Sequence, residues 1–189
     1  MANSIHQASH PRRALFAWPM RLATVITLLA CLQTARAESV YAWPFVFQDE
    51  HGKALKLNHW HGRQVIMSME YANCQFICSV GLTRLRSLQA LIEHEQLDYE
   101  FVIVSLDPLR DTPAVWLRYR ASRSLAYKNW YFITSSVEQL PGIAGLIGVK
   151  YWLYETEIMH DFRVLRIDTQ GNVIKTMDNY NDDLSAFLH

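Results

Sequence analysis

A short β-prone run, residues 64–69, leads directly into Cys74-Gln75-Phe76-Ile77-Cys78, and leucines at helical spacing follow at once. This succession constrains the fold more than any other feature of the chain. Leu82, Leu85, Leu88 and Leu91-Ile92 fall on one face of a helix spanning roughly residues 77–94. A strand, a cysteine-bearing turn and an amphipathic helix in that order begin a strand–helix–strand unit.

The rest of the chain continues the alternation. Residues 101–106 form its most hydrophobic β-prone run, the pattern of a central strand buried on both faces. Asp111-Thr112-Pro113 opens a helix to about Ser122, with a side-chain oxygen capping free N–H groups and proline in the first turn. Residues 130–133 read as a strand, 137–146 as a helix ending near Gly148, and 149–153 as another strand. Residues 162–167 and 172–177 pair through Asp168-Thr169-Gln170-Gly171, and a last helix covers 182–188. At the start of the domain, 41–47 and 54–57 flank the turn Asp49-Glu50-His51-Gly52 as a hairpin. The expected fold is α/β and thioredoxin-like, with a central mixed sheet flanked by helices and an N-terminal β-hairpin.

The N-terminus carries a different signal. Arg12, Arg13 and Arg21 precede an apolar run, 22–32, and Ala35-Arg36-Ala37 supplies a small-x-small cleavage pattern. The run is short for a permanent span, so residues 1–37 read as a removed signal peptide and 38–189 as one domain, exported to the periplasm. A second reading competes: Leu28-Leu29-Ala30-Cys31 resembles a lipoprotein signal, which would end before Cys31 and anchor the chain through it. Cutting after Ala37 removes four arginines and no acid, leaving 14 bases against 18 acids. A domain of net charge −4 with no basic run argues against nucleic acid as a partner, and leaves a lipid anchor as the one route to the membrane.

Two cysteines four residues apart at a strand–helix junction have specific chemistry. Helix N-terminal N–H groups lower thiol pKa values and make reactive thiolates. Adjacent thiolates form a soft pincer that prefers Cu(I) or Zn(II) to hard cations. Disulfide oxidoreductases favour two intervening residues, whereas three open the bite for a metal; a plain structural disulfide is the bland alternative. A third ligand is required, and His160 in Glu157-Ile158-Met159-His160-Asp161 is the candidate, although a loop histidine is by itself ordinary. His59 and His61 precede a glycine turn and read as surface. At least one of Met67 and Met69 belongs in the core.

These residues form a recognisable set. Gly62 through Cys78 gives a Gly-x-x-x-Ile strand leading to Tyr-x-x-Cys-x-x-x-Cys. Val104-Ser105-Leu106-Asp107-Pro108, Asp111-Thr112-Pro113, Trp130, Gly148-Val149-Lys150-Tyr151, His160 and Asp168-x-x-Gly171 follow in order. The sequence resembles the Sco/SenC family of copper-binding, thioredoxin-like proteins over about residues 45–175. The resemblance implies that Cys74, Cys78 and His160 hold copper, as Cu(I) or Cu(II). It also makes Asp107 a supporting residue that steadies the loop or tunes the thiols, beside its simpler reading as a turn-forming Asp-Pro. The family commonly has threonine near the first cysteine and proline after the second, where this chain has Ala72-Asn73 and Ser79. No ligand is lost by these differences.

Two functions fit. The resemblance implies a metallochaperone that delivers copper to the binuclear centre in the copper-bearing subunit of a respiratory cytochrome c oxidase, after loading from a copper donor chaperone. A thiol–disulfide oxidoreductase or redox sensor would use the same dithiol, with Cys74 and Cys78 as the reactive pair. His160 separates them, because a redox dithiol has no need of a remote imidazole.

Overall fold

The computed structural model describes residues 38–73 and 78–189, and of Cys78 and Ser79 it describes the backbone alone. Residues 1–37, on which the expected signal segment and Cys31 fall, and Cys74 therefore lie outside the described residues.

The fold grows from β3 (Gln64–Glu70) and β4 (Tyr99–Ser105), which pair in parallel in the middle of the sheet. All seven residues of β4 are buried, as expected of a strand covered on both faces. β5 (Trp130–Thr134) adds in parallel beside β4. The edges run antiparallel: β1 (Phe47–Asp49) and β2 (Ala54–Leu55) extend the sheet beyond β5, and β8 (Val164–Ile167) and β9 (Val173–Met177) extend it beyond β3. The order is β2-β1-β5-β4-β3-β8-β9, a mixed seven-stranded sheet.

Strand periodicity sends alternate side chains to opposite faces. Ile66, Phe101 and Ile103 pack with Leu82, Leu85 and Leu88 of α1 (Cys78–His94), with Trp116 of α2 (Pro113–Ser122), and with the C-terminal helix α4 (Leu184–Leu188). Met67, Met69, Val102 and Val104 face the other way, against Leu140 and Ile143 of α3 (Leu140–Ile147) and against Trp60. Both methionines are thus core residues.

The first hairpin is shorter than the sequence indicates. Pro44 has no N–H for a ladder, the strand begins only at Phe47, and Val40–Ala42 winds into a 3-10 turn. The N-cap of α2 is Thr112, whose hydroxyl accepts from the Val115 N–H, which frees Asp111 for another task. The largest difference lies between residues 151 and 160. Where sequence gives one strand and a loop, β6 (Tyr151–Tyr154) and β7 (Glu157–His160) form a separate antiparallel hairpin that pairs Tyr151 with His160. Its two-residue turn places Glu155 at φ +54°, a conformation more often given to glycine or asparagine. No helix among the described residues is long and apolar enough to cross a membrane.

Candidate metal centre

The site lies at the carboxyl ends of β3 and β4, where open α/β sheets gather their ligands. β3 ends at Glu70, Tyr71 follows, and α1 begins at Cys78, so the structure sets a strand exit and a helix start on either side of residues 74–77. Asp111 fixes the approach to the turn. One carboxylate oxygen accepts from the Ala72 N–H at 3.1 Å and the other from the Ser105 hydroxyl at 2.6 Å. Its carbonyl accepts from the Thr134 hydroxyl at 2.8 Å, which ties the same residue to β5. Asp111 is fully buried, and desolvation pushes its carboxyl up to about 6. In sequence Asp111 stands only as part of the helix-opening Asp111-Thr112-Pro113, and its spacing from Asp107 carries no signal of its reach back to residue 72.

Tyr71 positions His160. Its buried hydroxyl donates to Glu157 Oε2 at 2.8 Å and accepts from the Ile158 N–H at 3.2 Å, so the exit of β3 is bolted to β7. The His160 ring then meets the Tyr71 ring edge-on, with centroids 6.2 Å apart. His160 is therefore the end of a strand, held beside a residue three positions before Cys74. His160 Nδ1 lies 3.0 Å from the Asp161 carbonyl oxygen. A carbonyl only accepts, so Nδ1 carries the proton and Nε2 keeps its lone pair. Burial lowers the imidazole pKa, which favours the neutral form that a metal requires. A soft donor set of two thiolates and one neutral imidazole fits Cu(I).

Asp107 is buried at the end of β4, and its carboxylate is paired with Arg110. Its N–H donates to Ser105 Oγ at 2.9 Å. Among the described residues, Asp111 is the carboxylate that bonds the backbone of residue 72. A second acidic group was not singled out from sequence: Glu70 is 4% exposed, Oε2 has no hydrogen-bond partner among the described residues, and burial pushes its carboxyl up to about 8. Glu70 lies against the first turns of α1, where a Cβ at Gly81 would come within 2.5 Å of Oε1. The available signal was a lone acid ending an apolar strand. His59 and His61 are exposed and meet separate rings, His59 edge-on to Trp60 and His61 tilted against Tyr41. Among the described residues no group of three or more His, Cys, Asp or Glu side chains is arranged to hold a metal ion.

The SCO1/SenC family model matches residues 33–187. The chain belongs to the SCO1/SenC family. The SCO1 protein homolog of Bacillus subtilis (strain 168) is 26% identical over 136 residues, covering 70% of each chain. The copper-bound structure of Arabidopsis thaliana ScoI superposes with a TM-score of 0.67 at 22% identity, covering 78% of this chain and 92% of that one. BsSco, described as carrying a disulfide switch and as a member of the Sco family of cytochrome c oxidase assembly proteins, gives a TM-score of 0.68 at 22% identity. That match covers 79% of this chain and 90% of BsSco. These likenesses establish the thioredoxin-like fold, and family membership agrees with the ordered motif set read from the sequence.

Proposed function

We propose that this SCO1/SenC protein takes up Cu(I) through Cys74, Cys78 and His160 and delivers it to the binuclear copper centre of a cytochrome c oxidase. The observation that carries the reading is His160. A hairpin locked by Tyr71 presents this imidazole beside the strand that leads into the cysteines, with Nε2 free of the proton and Nδ1 held by a backbone carbonyl. Copper bound in the Arabidopsis relative supports the same cargo here.

Copper would arrive from a donor protein and leave by ligand exchange, since a low-coordinate soft site leaves room for an incoming thiolate or imidazole. The chain's own residues supply the rest. Asp111 holds the approach to Cys74 through the Ala72 N–H, the N-terminal dipole of α1 favours a thiolate at Cys78, and Tyr71 fixes the imidazole. The N-terminal segment supports export to the periplasm, with cleavage after Ala37 or lipidation of Cys31 as the two ways of maturing. A thiol–disulfide role for Cys74 and Cys78 on the same client is the second reading, favoured by the disulfide switch described for BsSco.

The test is a Cu(I) titration of the His160→Ala variant against a competing chelator, together with thiol counting. We expect affinity to fall about 10–100-fold while both thiols still titrate. Unchanged affinity removes His160 from the site. In cells lacking the gene, rescue of oxidase activity by added copper supports delivery, and rescue by a small thiol reductant but not by copper supports the redox role.

A further inference from the structure

We infer that the face beside the cysteine turn docks an acidic segment of the partner protein, seated in a cavity lined by Arg110, Arg118 and Arg123. The cavity is about 510 Å³, and Ala72 and Asn73, the residues just before Cys74, form part of its wall. Three arginines contribute to its wall. Arg118 is exposed on α2, and among the described residues neither Arg118 nor Arg123 is in an ion pair. The Arg123 guanidinium lies over the Tyr119 ring, 5.5 Å from its centroid, an arrangement that holds it in place without neutralising it. Arg86 of α1 donates to the Arg123 carbonyl and brings a fourth cation near. The one acid in the lining, Asp111, turns its oxygens inward to Ser105 and Ala72, and Asp107 is spent on Arg110.

This cluster stands out because residues 38–189 carry 18 acids against 14 bases. Guanidinium forks match carboxylates bidentately, so the complementary ligand carries Asp or Glu side chains. An apolar groove of about 610 Å³ shares Arg110 with the cavity and is lined by Leu109, Val137, Leu153 and Ile158. Leu109 and Leu153 are 77% and 75% exposed. A small anion would fill the basic cavity alone, whereas a peptide mixing carboxylates with apolar side chains spans both, which favours a protein segment. Anything so seated lies against residues 72–73, which directly precede Cys74 in the chain. The inference names how a delivery partner is recognised and so rests on the reading above, yet it is tested without copper.

The experiment measures fluorescence anisotropy of a labelled hexapeptide of alternating leucine and glutamate on the full-length chain without copper. The same peptide with glutamine replacing glutamate, and citrate as a competitor, serve as controls. We expect the acidic peptide to bind, the glutamine peptide to bind at least about tenfold more weakly, and R118E with R123E to reproduce that loss. Affinity should fall with added salt, and citrate at equal carboxylate concentration should leave the peptide bound. Equal binding of the two peptides, or full affinity in the double variant, overturns the proposal. Displacement by citrate at equal carboxylate concentration also overturns it and makes the cavity a small-anion site. Cu(I) stoichiometry of the double variant is read in parallel. Intact copper binding with lost peptide binding separates docking from metal uptake.

Discussion

Glu70 gives the sharpest residue-scale consequence. A buried carboxyl with an unpartnered oxygen holds its proton up to about pH 8 in the folded chain, against 4.5 for the free group. Between those values the folded state binds more protons than the unfolded state, so stability falls as pH rises and the loss is complete above about 8. Urea midpoints at pH 5 and pH 8 should show a loss on the order of 3 kcal/mol that Glu70→Gln largely removes. An equal slope in the variant would contradict this account. Asp111 adds a smaller loss of the same sign between its free value of 3.8 and about 6. His160 acts in the opposite sense: burial lowers its pKa, so its neutral form costs stability only as pH falls below 6.5.

At the scale of elements, the β6–β7 hairpin is what brings a distant histidine to the cysteine strand. Tyr71→Phe deletes both hydrogen bonds that hold it. We expect faster amide exchange confined to residues 151–160, a stability loss of about 1–3 kcal/mol and weaker Cu(I) binding, with the thiol count unchanged. Gly148 ends α3 at φ +83°, and a Cβ there would overlap the Arg163 guanidinium that pairs with Asp178 at 2.7 Å. Gly148→Ala should therefore cost about 1–3 kcal/mol by thermal or urea unfolding. This hairpin is also where sequence reading stops short. β3, β4 and α1 are legible because burial writes itself into them as unbroken apolar runs and leucines at helical spacing. Trp152, Leu153 and Tyr154 are exposed, so β6 has no alternation to read, and a turn built on Glu155 and Thr156 lacks the usual Gly or Asn. Asp111 shows the same limit: its partners at 72, 105 and 134 meet only in three dimensions. Cys78 and His160 are recognisable as types in an order, whereas the contact of Tyr71 with the hairpin that carries His160 is not.

Across the whole molecule, one central sheet separates two apolar layers and gathers the site at its carboxyl edge. A buried ion pair joins its parts. Glu50, from the turn after β1, pairs with Arg120 of α2 and accepts from the Phe132 N–H of β5 at 3.0 Å. Arg120 also reaches the carbonyls of Tyr127 and Trp130. Removing one partner leaves the other charge buried, so Arg120→Ala should cost about 3–5 kcal/mol by urea unfolding. A loss below 1 kcal/mol would show that the pair contributes little. In the proposed site, a hairpin and a strand–helix junction far apart in sequence converge on one soft metal ion. X-ray absorption of the Cu(I)-loaded chain beside its His160→Ala variant reads the ligands themselves. Two sulfur scatterers and one imidazole nitrogen are expected in the native protein, with the nitrogen absent from the variant; an unchanged nitrogen shell in the variant would remove His160 from the site.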